Sequence, residues 1–161
     1  MTQSSPACKA AARSLASATL LLFGLFPAAW VQAENSVSAG AYTVHYNALS
    51  TLDLSAEMAR GYSISRSENR ALLNIAVRQQ VDQVDQPASA RLSGEAINDA
   101  GQRQTLYFRE VRETGAIYYL SEPPVRPGDT WRFEVSVEIE NGPTVPLRFS
   151  QQFFAPLPGQ R

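Results

Sequence analysis

The side chains with the most chemistry to offer lie close together. Arg60-Gly61-Tyr62-Ser63-Ile64-Ser65-Arg66-Ser67-Glu68-Asn69-Arg70 gathers three arginines, a tyrosine, an asparagine and several hydroxyls. A guanidinium is a planar fork that holds a carboxylate or phosphate through two parallel hydrogen bonds. The segment is a candidate surface for a small anionic ligand or an acidic loop of a partner protein. Arg66, Asn69 and Arg70 would supply the contacts, with Tyr62 stacked beside them. The competing description is a solvated crossover whose arginines pair with Glu57 and Glu68.

His45 is the single histidine. Imidazole is the usual base near neutral pH and a common metal ligand. It shares a strand face with Asn47, and both would stand near the arginine segment if the strands run alongside. A zinc site built on one histidine would need carboxylates for its remaining ligands. A copper site pairing His45 with Met58 rests on only two ligands. No metal and no cofactor is assigned. Gly-x-Ser-x-Gly, EF-hand and glycine-rich phosphate-loop patterns are missing. The alternative function is a small hydrolase or metal-binding protein centred on His45.

Strands must position these groups. Alternation with period 2 dominates the sequence. From Thr130 to Glu140, Trp131, Phe133, Val135, Val137 and Ile139 point one way, and Arg132, Glu134, Ser136, Glu138 and Glu140 the other. That pattern fits a strand with one face in the core and one in water. Pro127-Gly128-Asp129 and Asn141-Gly142-Pro143 are turns at its ends. Val145 to Phe153 alternates as its hairpin partner, with Pro146 at an edge or bulge. Tyr42 to Asn47, Ala71 to Arg78, Ala88 to Ile97, Gln104 to Arg112 and Ala116 to Leu120 repeat the theme. Gln79 to Pro87 reads as a polar loop. Asp53 to Arg60 breaks the period and predicts one short helix in the first crossover, capped by Asp53 or Ser55 and stopped at Gly61. About seven short strands joined by turn chemistry predict an all-β fold, an antiparallel immunoglobulin-like β-sandwich. A closed barrel is the alternative.

Residues 1–33 carry the features of a secretory signal peptide. Lys9 and Arg13 precede an apolar stretch from Leu15 to Ala29, and Val31-Gln32-Ala33 is a small-residue cleavage pattern. Cleavage would leave residues 34–161 as a single domain with no transmembrane segment. Lys9, Arg13 and Cys8 would leave with the leader, giving 12 basic and 15 acidic groups, net −3, and no cysteine. Disulfides and thiolate chemistry are then excluded. The chain has 161 residues, 44% of them apolar and 18% charged, which suits a globular domain. Its net charge of −1 gives no electrostatic basis for binding nucleic acid.

Ala41-Tyr42-Thr43-Val44-His45-Tyr46-Asn47-Ala48 and Arg66-Ser67-Glu68-Asn69-Arg70-Ala71-Leu72-Leu73-Asn74-Ile75-Ala76-Val77 resemble the family called domain of unknown function 4426. Phe108 to Glu113 followed by Ala116 to Tyr119 fits it too. The resemblance implies a small exported protein of Gram-negative bacteria, and hence a periplasmic home. It brings no activity and no site residue. It also leads one to expect a proline near Ala56 and a valine at position 58, which makes Met58 look like a substituted core residue. The combined reading is a periplasmic, non-enzymatic binding or interaction module for a partner protein or small anionic ligand. A purely structural subunit, pairing an exposed sheet edge with a partner strand, is a third reading.

Overall fold

The computed structural model describes residues 35–155. The expected signal peptide lies outside the described residues. The element order is β1 (Asn35–Ala39), β2 (Tyr42–Ser50), a 3-10 turn (Thr51–Asp53), α1 (Ala56–Gly61), β3 (Ala71–Val81), β4 (Val84–Pro87), β5 (Ala90–Asn98), β6 (Arg103–Thr105), β7 (Arg109–Glu113), β8 (Ala116–Ser121), β9 (Thr130–Ile139) and β10 (Thr144–Gln152).

All strand pairs are antiparallel. One sheet has the order β1-β2-β3-β8-β7, with β4 also on β3; the other runs β10-β9-β5-β6. The inward residues of both sheets join one apolar cluster. Val44, Leu73, Ile75 and Val77 come from the first sheet, and Phe133, Val135, Val137 and Leu147 from the second. These are the apolar halves of the alternating patterns, buried because each sheet has one face to hide. Phe133 is fully buried and stacks on Phe149 at 5.0 Å, with Phe153 edge-on at 6.5 Å. Tyr119 of β8 crosses between the layers, its hydroxyl accepting the Ala90 N–H at 2.8 Å. The hydroxyl titrates above the usual tyrosine range, chiefly because it is buried. No helix among the described residues is long and apolar enough to cross a membrane.

Ten strands stand where about seven were expected. β1 and β4 are short and largely polar, so alternation does not flag them. The stretch read as a loop, Gln79 to Pro87, is the end of β3, a tight turn and β4. Asp82 and Gln83 both take positive φ, the turn geometry that matches strand twist. Gln104 to Arg112 is two strands rather than one. β6 belongs to one sheet and β7 to the other. Between them the Leu106 N–H bonds the Gly94 carbonyl at 2.9 Å, burying Leu106 and turning Tyr107 outward. Pro146 does lie on an edge strand, β10.

The helix begins where Ser55 caps the Met58 N–H at 3.1 Å. Its end differs from expectation. Gly61 is still helical, and Ser63 takes the left-handed conformation, φ 54°. Ser63 N–H bonds the Arg60 carbonyl and Ile64 N–H the Ala59 carbonyl, a Schellman closure with serine where glycine is usual. The closure turns Ile64 inward. With Leu54 and Ala59 it packs on Leu72 and Leu120, forming a second apolar cluster. Met58 is 53% exposed, so it is no core residue.

Candidate functional site

Thr51 anchors the crossover that carries the arginines. Its hydroxyl is fully buried, lies 3.1 Å from the carbonyls of Ser65 and Ser67, and accepts the Ser67 N–H at 3.0 Å. Arg66 follows at the surface and donates to the Leu52 carbonyl at 2.8 Å. Leu52 lines a groove of about 330 Å3 whose wall ends at exposed Phe154. Neither Arg66 nor Arg70 pairs with Glu57 or Glu68 among the described residues.

Tyr62 points elsewhere. It packs beside the second cluster, with Val111 and Tyr118. Its hydroxyl donates to Glu113 Oε1 at 2.7 Å, and its carbonyl accepts from Arg109 at 2.6 Å. The carboxylate acceptor holds the phenol in its neutral form, with the pKa pushed up to about 12. Arg109 also lies 3.6 Å from Glu122. Within the Arg109-Glu110-Val111-Arg112-Glu113 run, Arg112 pairs with Glu110 on the strand surface. Arg109 and Glu113 instead clamp Tyr62.

His45 and Asn47 occupy the outer face of β2, opposite inward Val44 and Tyr46. Asn47 stands across from Asn74 of β3, which is itself across from Leu120 of β8. Asn74 Oδ1 is buried and has no hydrogen-bond partner among the described residues. The fold therefore puts His45 and Asn47 on one face and disperses the rest. Tyr62 lies against β7 and β8, Arg66 on the 3-10 turn, and Asn69 and Arg70 at the entry to β3.

Asn69 opens onto a different place. Its carbonyl accepts the Val125 N–H at 3.1 Å, and Arg70 bridges to Pro124. The segment Pro124–Arg126 thereby forms one wall of a groove of about 520 Å3. That volume lies within the range of small-molecule sites. Gln104 of β6 spans to the Pro124 carbonyl at 3.1 Å. Trp131, at the start of β9, is 6% exposed, and its Nε1 has no hydrogen-bond partner among the described residues. Arg103 is neutralised by Glu95. Arg126 and Asp129 make no ion pair among the described residues.

Sequence reading named Asn69 and missed Arg126, Asp129, Gln104 and Trp131. The sequence marks Asp129 as part of a turn, Trp131 as a core-facing strand residue and Gln104 as a strand end, none of them as a site residue. The groove offers donors for an anion, one cation and one carboxylate.

No curated protein matches the chain. A solved structure of a DUF4426 family protein from Pseudomonas aeruginosa superposes with a TM-score of 0.65 at 27% identity, covering 80% of this chain and 100% of that one. The family described as a domain of unknown function, DUF4426, matches residues 36–156, and the chain belongs to it.

Proposed function

We propose that this chain is a periplasmic, non-enzymatic binding module that takes a partner protein or a small anionic ligand. The observation that carries this reading is the groove beside Asn69, where Arg126 makes no ion pair among the described residues. An arginine in that state at a groove favours an incoming carboxylate or phosphate. The leader pattern of residues 1–33 supports export. The two facing antiparallel sheets support an immunoglobulin-like sandwich as the scaffold.

The test is capture from periplasmic extract with wild-type protein, Arg126→Ala, and the double variant Arg66→Ala/Arg70→Ala. Native mass spectrometry reads any small species carried along. Loss of the captured species in Arg126→Ala supports the groove, and loss in the double variant supports the crossover arginines. Retention by both variants, or no bound species with wild type, overturns the reading.

A further inference from the structure

We infer that the groove beside Asn69 takes a zwitterionic α-amino acid, its carboxylate on Arg126 and its ammonium on Asp129. The inference rests on the binding-module reading and names the ligand class for it. Arg126 and Asp129 are the two ends of one tight turn. The Asp129 N–H bonds the Arg126 carbonyl at 3.1 Å, and Gly128 takes φ 96° behind Pro127. A Pro-Gly turn of this kind keeps its end Cα atoms within about 7 Å. The turn thus sets a cation and an anion side by side at the groove. Here they form no ion pair with each other or with any described residue.

A molecule with an anion and a cation on adjacent carbons fits that gap. Each end forms a charge-assisted hydrogen bond of about 2.8 Å, so one α-amino acid bridges a guanidinium and a carboxylate up to about 8 Å apart. A simple anion satisfies Arg126 alone and meets repulsion from Asp129. A simple amine does the reverse. Trp131 is one of the lining residues, and its buried indole N–H, without an acceptor among the described residues, lies close enough to report on occupancy. Gln104 and Asn69 line the walls with polar amides, which suit a small, hydrated ligand.

The experiment titrates the full chain with L-alanine, propionate and ethylamine. Calorimetry measures affinity, and the Trp131 indole N–H resonance reports occupancy. The expected result is a shift of that resonance by alanine, with propionate and ethylamine weaker by about tenfold or more. Asp129→Asn, which keeps size and the turn, should erase the advantage of alanine over propionate. Propionate binding as tightly as alanine overturns the zwitterion and leaves the anionic-ligand reading standing. No response to any of the three overturns the inference, while capture from extract still judges the binding module separately.

Discussion

The Tyr62 hydroxyl donates to Glu113 Oε1 at 2.7 Å, joining the crossover after α1 to the edge strand β7 across 51 positions of sequence. Tyr62→Phe removes that bond and should cost about 1 kcal/mol. The same pair sets a pH dependence. The tyrosine pKa is raised to about 12 in the fold from an ordinary value of 10.0. Its stabilisation is fully present below pH 10 and is lost as pH rises toward 12. Melting curves across that window should fall more steeply for wild type than for Tyr62→Phe. Equal slopes would show that Glu113 does not hold the phenol neutral.

Thr51 tests how the crossover is held. Thr51→Val keeps the shape but leaves the Ser67 N–H without its hydroxyl acceptor. The expected loss is about 2 kcal/mol by urea denaturation. Faster proteolysis between Leu52 and Arg70 should accompany it. An unchanged midpoint would mean the loop is fixed by Ile64 and Leu54 alone.

Gly94 lies where two strands approach closely. A Cβ there would meet the Glu134 carbonyl oxygen at 2.5 Å and the Val135 Cα at 3.0 Å, both backbone. Gly94→Ala should therefore destabilise by about 3 kcal/mol, since β9 must shift to admit it. A thermal midpoint equal to wild type would contradict this close approach.

Position 58 gives a contrasting expectation. Met58 is 53% exposed, so Met58→Val should move stability by no more than about 0.5 kcal/mol. A larger change in the melting midpoint would show that α1 packs more tightly than its exposure indicates.

What sequence could show depended on how local the cause was. The β9–β10 hairpin follows from alternation and two turn signals, all within about 25 residues of each other. A cap at Asp53 or Ser55 was legible for the same reason, and Ser55 is the one that caps. The division of Gln104 to Arg112 was not, because both halves are rich in strand-forming residues. What separates them is Leu106 bonding back to Gly94, a contact made only once both sheets exist. The site divides in the same manner. The arginine segment was visible as a cluster, yet folding sends Tyr62, Arg66 and Asn69 to three places. Arg126 and Asp129 look unremarkable in sequence because only the fold brings them to one groove with Asn69.

The passage of the chain from β6 to β7 has a consequence for how the protein acquires its structure. Neither sheet is a continuous length of chain. The first needs β7 and β8 to finish what β1 to β4 begin, and the second needs β9 and β10 to cover β5. Until Thr130–Ile139 is available, β5 has no partner along the edge that β9 will occupy. Pairings of such long sequence separation close slowly. A chain interrupted before its last hairpin holds an open strand edge and half of an apolar core. The β9–β10 hairpin thus decides whether the nascent polypeptide folds or aggregates.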